Sequence, residues 1–237
     1  MALFCPKYFG VGNIFFNWNK QTIYSPFLET TKPRVFPIFK GTNLLASNVK
    51  DYRENLQITY HSTLQFSSKK SYYQLKKRTE KALKKEAIPT KQKWLGCLYD
   101  LEIRDQILPD LSMHWIHEDI GFGVFTENSI KKHTFIGEYV GLVRKRRKKL
   151  DEKNAYVFEN LIGDSIDTHY TIDAKKSGNH IRFMIHKEFG ICDALLVLHK
   201  GFMKVILLAN QDIPAGSQLT YDYGIDYWNK RHDLKTL

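Results

Sequence analysis

Cysteine is scarce in this chain: Cys5, Cys97 and Cys192 are the whole complement in 237 residues, far apart and with no CxxC pair. That spacing supports neither a disulfide framework nor a cysteine zinc site and reads as a chain made for a reducing compartment. No run of eighteen apolar residues occurs, and the opening MALFCPKYFGVGN lacks the basic start and long apolar stretch of a signal peptide, so a soluble protein with no membrane contact is expected. Several chemistries are missing as well. There is no GxxxxGK[ST] phosphate loop, no GxSxG nucleophile elbow and no HExxH zinc pair. The histidines are scattered, and His114 and His117 are spaced for opposite faces of a strand rather than for one metal. Negative charge is in deficit: 25 Asp and Glu stand against 36 Lys and Arg, a net +11 that implies attraction to nucleic acid, acidic protein or anionic lipid.

The length allows one sizeable core. The first sixty-odd residues mix aromatics, Pro33, Pro37 and polar segments without sustained periodicity and are expected to be irregular. From Ser68 to Ala87 the pattern predicts a helix, with Tyr72, Leu75, Thr79, Ala82, Leu83 and Ala87 recurring at three and four; Ser67 or Ser68 would cap it and Pro89 end it. Ten basic residues lie between Lys69 and Lys93 against Glu80 and Glu86. The plain reading is a solvated helix face, the alternative a binding surface. A second cluster, RKRRKK at Arg144–Lys149, reads as a loop or helix start suited to nuclear import, nucleic-acid contact or solubility.

After about Asp110 the text changes to short β-type runs punctuated by glycine: HWIHED, GVFTE, TFIGEYVGLV, YTIDA, ALLVLH, MKVILLAN and QLTYDY. This predicts a mostly β domain over residues 110–237, preceded by a basic, partly helical region over 1–109 whose role the sequence does not disclose. In LTYDYG, alternation puts Leu219, Tyr221 and Tyr223 on one face and Thr220 and Asp222 on the other. That pattern suits either a half-buried aromatic strand or a pocket wall with two hydroxyls facing one target.

The collinear order GFGVF, FIGEYVG, IDAKKSGNHIRF ending in His186, and ANQDIPAGSQLTYDYG resembles the SET-domain protein lysine methyltransferases, in the compact bacterial or viral form that lacks zinc-binding modules before and after the domain. The resemblance covers residues 110–228. It implies a β-clip fold of small curved sheets with a C-terminal pseudoknot, and S-adenosyl-L-methionine as methyl donor. Carried over by position, the backbone of Gly121, Phe122 and Gly123 would line the cofactor's methionine end, with Tyr156 nearby. Ile185 and His186 would hold adenine, Asn179, Arg182 and Phe183 would shape that wall, and Trp228 would stack on the ring. Tyr139, Tyr221 and Tyr223 would surround the substrate amine, Tyr223 as the catalytic tyrosine and Tyr221 as an influence on how many methyls are added. No metal is implied.

The chain departs from the family pattern in four places. Ile185 stands where asparagine is usual, and KEFGICD replaces the cysteine-proline-asparagine segment. Gln218 stands for a frequent glutamate, and His133 for a turn glycine. The expected function is methylation of lysine in a histone or histone-like protein; the competing reading is a SET-like chromatin or nucleic-acid binding module that has lost the cofactor. Nucleic-acid contact through the basic clusters and a homodimer built partly from the N-terminal region are further expectations. So is a cytoplasmic or nucleoid location in a bacterium, or delivery to a host nucleus.

Overall fold

The computed structural model describes residues 14–18, 21–27, 33–163 and 166–229. Phe202–Ala209 is its centre. This FMKVILLA run is buried at every position, as a nearly continuous apolar strand must be when both of its faces are covered. It pairs antiparallel with Cys192–His199 on one side and with Phe135–Glu138 on the other. The larger sheet runs Asn43–Ala46, Ile38–Lys40, Leu111–His117, Gly121–Thr126, Gln218–Tyr221, Cys192–His199, Phe202–Ala209, Phe135–Glu138, with Ile185–His186 also on Gln218–Tyr221. A second sheet runs Ile14–Trp18, Gln21–Ser25, Gln65–Phe66, Leu142–Lys145, Ile166–Asp173, Val157–Ile162, and a small parallel pair joins Thr59–Tyr60 to Ser177–Gly178. Strands account for 38% and helices for 26%, in keeping with the mostly β expectation. No helix among the described residues is long and apolar enough to cross a membrane.

The stretch TFIGEYVGLV, read as one strand, is two. Phe135–Glu138 belongs to the larger sheet and Leu142–Lys145 to the second, and between them Gly141 passes so close to Asp173 that a Cβ would lie 2.6 Å from its carbonyl oxygen. Val157–Ile162 forms an edge strand that the sequence patterns did not flag, because VFENLI does not alternate cleanly between apolar and polar positions.

The described residues before 67 are not irregular, and the rest of that expectation, on residues 1–13, 19–20 and 28–32, lies outside the described residues. Asn48 caps the helix Val49–Leu56 by accepting from the amides of Lys50 and Asp51 at 3.0 and 3.1 Å, and Gln57 ends it in the left-handed conformation. Tyr52 on that helix is fully buried and donates to the Phe36 carbonyl at 3.0 Å. Phe36, Ile38, Tyr52, Tyr60, Leu64 and Phe66 belong to the same hydrophobic core as Ile206 and Leu219. Three pairings cross the expected boundary near residue 109: Ile38 with Met113, Gln65 with Leu142, and Thr59 with Ser177.

The predicted basic helix spans Lys69–Lys84 with Ser68 as its cap, and Ser71, Leu75, Thr79 and Ala82 form its buried stripe. It stops before Pro89: Glu86 takes a left-handed φ of 55°, and Pro89 instead precedes the next helix, Thr90–Leu98. Of the RKRRKK cluster, Arg144 and Lys145 end a strand and Lys148 begins the short helix Lys148–Asp151.

The C-terminal strand is gripped by earlier segments. Gln218 and Leu219 pair antiparallel with Phe125 and Val124; Thr220 pairs with Ile185; and Tyr221 pairs with His186 on one side and Cys192 on the other. The loop joining those last two passes over the strand at Gly190, where a Cβ would lie 2.5 Å from the Tyr221 Cα. Gly190→Ala is therefore expected to lower stability by about 2 kcal/mol through overpacking against backbone. Gly216→Ala, at φ 74° with open space around it, costs about 1 kcal/mol through conformation alone. Urea midpoints of the two variants check the order.

Candidate active site

The gripped strand places three segments around one cavity of about 1340 Å³. Gly121 opens the strand Gly121–Thr126 at φ 81°, a left-handed turn that glycine adopts without strain, and space is open where a Cβ would point. Phe122 follows, edge-on to Trp115 at 5.1 Å and to Phe183 at 5.8 Å between ring centroids. A 3-10 turn, His180–Phe183, then delivers Met184, Ile185 and His186 to the wall. Asn179 makes that turn: its side-chain oxygen accepts from the Ile181 amide at 3.1 Å while its amide group donates to the Glu138 carbonyl at 2.9 Å.

Of the residues expected at the site, all but Gly123 and Asn179 line this cavity. Gly123 lies behind it, where a Cβ would meet the side-chain ends of Ile116 (Cδ1, 2.6 Å) and Gln218 (Nε2, 2.7 Å), both of which would have to shift. Asn179 is buried one layer back and supports the wall through backbone. Arg182 is also held by backbone: Nε donates to the Ala174 carbonyl at 2.8 Å and an Nη to Lys175 at 3.1 Å, with the guanidinium 4.2 Å from the Tyr156 ring and 4.7 Å from Phe183.

The aromatic residues form one cluster. Tyr221 and Tyr223 lie 4.8 Å apart, Tyr223 and Tyr227 4.7 Å, and Trp228 packs edge-on to His186 at 4.8 Å. The Tyr139 hydroxyl donates to the Tyr156 carbonyl at 2.9 Å, and that of Tyr223 to the Met184 carbonyl at 2.7 Å. The Tyr223 amide donates to His186 Nδ1 at 3.2 Å, and an Asp222 carboxylate oxygen lies 3.5 Å from the same nitrogen.

Residues 121–224 match the family model of the SET domain. The chain is similar to a Schizosaccharomyces pombe histone-lysine N-methyltransferase, H3 lysine-4 specific, at 40% identity over 106 residues, 43% of this chain and 11% of that protein. It is also similar to human histone-lysine N-methyltransferase 2D at 30% over 122 residues, 48% of this chain and 2% of that protein. Mouse histone-lysine N-methyltransferase NSD3 matches at 37% over 111 residues, 45% of this chain and 8% of that protein. The chain thus spans only a small part of each of these relatives.

Sequence reasoning missed Trp115, Phe158 and Thr171 on the walls of the cavity. The signal for Thr171 was period-two alternation beside Tyr170, which points away from the cavity to bond Gln74; the Thr171 hydroxyl is buried without a hydrogen-bond partner. Trp115 gave no signal, since its place depends on the turn between two strands. At the turn where glycine is common in the family, His133 takes a φ of 69°, the left-handed conformation that glycine would supply.

Burial holds the phenols of Tyr139, Tyr221 and Tyr223 above the ordinary tyrosine range; the Arg182 charge partly opposes this at Tyr139, and neighbouring tyrosines reinforce it at the other two. All three are neutral hydroxyls at pH 7. A phenol harder to ionise folded than unfolded contributes stability that is complete below its unfolded value near ~10 and lost as pH rises through the folded one. Urea midpoints are therefore expected to hold level from pH 7 to 9.5 and fall beyond about 10. A level profile through pH 11 would contradict the buried setting of these hydroxyls.

Proposed function

We propose that the chain is an S-adenosyl-L-methionine-dependent protein-lysine N-methyltransferase acting on histones or histone-like DNA-binding proteins. The observation that carries this reading is the convergence of three neutral phenols, the buried Tyr139 and Tyr221 and the half-buried Tyr223, on a cavity whose other wall is a glycine turn and an aromatic corner. The residues present fit the cofactor. Gly121 and Phe122 leave room for its amino-acid end, His186 and Trp228 offer rings beside its purine, and Tyr156, Arg182, Phe183 and Ile185 complete the wall. Gly123 and Asn179 act by shaping that wall. When bound, the cofactor supplies an electrophilic methyl group on a sulfonium sulfur.

The protein's own part begins with the lysine proton. A free lysine has a pKa near ~10.4, so the nucleophilic amine is rare at pH 7. Ring-lined walls strip water from the ammonium and lower that value. The tyrosines do not remove the proton as phenolates, because burial keeps all three protonated. Tyr223 spends its own proton on the Met184 carbonyl, which leaves its oxygen to accept hydrogen bonds from a substrate amine. Alignment in the narrow channel then supplies much of the acceleration. The names of the relatives support a histone substrate, and the net +11 suits a protein working beside DNA.

Ile185 favours a second reading, a SET-like module without cofactor, since a side-chain hydrogen bond usual in the family is absent there. One experiment separates the two: calorimetric titration with S-adenosyl-L-methionine, then a labelled-methyl assay on mixed histones. Tyr223→Phe should keep cofactor affinity within a few fold and lower turnover about 100-fold, the scale of losing one preorganised hydroxyl. Unchanged turnover removes Tyr223 from the chemistry, and absence of cofactor uptake at millimolar levels removes the enzyme.

A further inference from the structure

The fold brings together the two basic clusters that are separate in sequence. A cleft of about 490 Å³ lies between the start of the helix Lys69–Lys84 and the end of the strand Leu142–Lys145; Lys70, Arg144, Lys145 and Arg147 line it, and no acidic side chain does. Arg144 is committed to Asp151 and Asp173. Lys70, Lys145 and Arg147 are exposed and form no ion pair among the described residues.

From the cleft the charge continues along the helix. Lys70, Lys77 and Lys84 are seven apart and so fall in one row, with exposed Lys81 beside them. Glu80 stands four residues from Lys76 and from Lys84, but Lys77, Lys81 and Lys85 follow one another at the same spacing as like charges that repel each other. The row spans roughly 21 Å, about six base steps of a duplex. The helix is also firmly seated: Gln74 accepts from the Tyr170 hydroxyl at 2.7 Å, Arg78 donates to the Thr168 carbonyl, and Leu75 and Ala82 are spent on the protein's own core. With its apolar stripe buried, the helix offers a lipid surface only the separate exposed side chains Tyr73 and Leu83, not the continuous apolar face that basic membrane-binding helices need.

We propose that this row and cleft dock the phosphate backbone of duplex DNA. The choice of DNA as the duplex rests on the chromatin substrate proposed above; the need for a regular polyanion rests on the row alone. Tyr170 and Thr171 are adjacent on the strand Ile166–Asp173, so their side chains point to opposite faces, Tyr170 into the basic cleft and Thr171 into the SET-domain cavity. DNA on one face therefore leaves the cavity open to a protein substrate.

The test is fluorescence anisotropy of a labelled 30-base-pair duplex with the full chain. Affinity of the unaltered protein should fall about 100-fold between 50 and 200 mM salt, as expected for some four phosphate contacts. Reversing Lys70, Lys77 and Lys84 to Glu should weaken binding at least tenfold and flatten the salt slope by 2 to 3, and Lys145→Glu with Arg147→Glu should weaken it severalfold. Lys50→Glu with Lys132→Glu carries the same change of net charge elsewhere and should do little. The proposal is overturned if the row and cleft variants bind like the unaltered chain, if the control pair weakens binding as much as the cleft pair, or if phosphatidylserine vesicles bind more tightly than the duplex. Methyl transfer to a free histone-tail peptide should survive the row reversal, whereas transfer on nucleosomes should fall. Loss of duplex binding with intact peptide methylation supports the docking surface and leaves the enzymatic reading in place; patch-dependent duplex binding in a chain that methylates no peptide leaves this surface standing and removes the enzymatic reading.

Discussion

The constraint on which the site depends is the grip on one short strand. Gly190 crosses Tyr221 so closely that not even a methyl group fits between them, and Tyr221 is bridged to His186 and Cys192 at once. Everything catalytic in the proposed reading hangs from that crossing. It fixes Tyr221, it brings the Tyr223 amide within 3.2 Å of His186 Nδ1, and it aims the Tyr223 hydroxyl at Met184. Hydrogen bonds of this size contribute only about 1 kcal/mol each, so they cannot assemble the cavity alone; they select one geometry from what the backbone crossing already permits.

A second constraint acts at Tyr139. Glu138, directly before it, is buried against Lys204 at 2.8 Å in the middle of an otherwise apolar strand pair. Burial raises the Glu138 carboxyl above its usual range while the Lys204 charge opposes that rise. A buried pair of this kind offers little net stability, because desolvation offsets its attraction. Its value lies in register. Ile206 sits opposite Glu138, and slipping the pairing by one residue would turn Lys204 to the other face and leave a carboxylate alone in the core. The pair thereby dictates which way the next residue points, and that residue is Tyr139, whose amide bonds the Val205 carbonyl and whose hydroxyl reaches Tyr156.

How much of this could be read from the chain follows from where each signal resides. The strands after residue 110 were legible because β-branched and aromatic runs between glycines are a local pattern, and the SET-domain blocks were legible because they are collinear. The helix Lys69–Lys84 was legible from its stripe, although its end was not: Glu86 stops it by a left-handed turn that no proline or glycine announces. The described residues before 67 hid part of their order in non-local partners. Ile38–Lys40 and Gln65–Phe66 are strands of two or three residues, and besides the hairpin of the first with Asn43–Ala46 and the pairing of the second with Gln21–Ser25 they take partners far along the chain in Met113, His114, Leu142 and Val143. Within the site, residue identity was legible but layer was not. Gly123 and Asn179 sit in the same motifs as Gly121 and Arg182, and only packing distances reveal that they stand behind the wall.

Ile185 shows what such layering implies for a substitution. Its backbone is engaged with Thr220 in a parallel bridge, and its side chain faces the cavity among aromatic neighbours. Asparagine there would bring a polar group that must be satisfied within the protein or by a ligand; isoleucine brings none. In the proposed reading, recognition at this point falls to backbone groups. Backbone geometry at residues 184–186 is held by the parallel bridge to Thr220 and Tyr221 and by the bonds of Tyr223 to the Met184 carbonyl and the His186 ring.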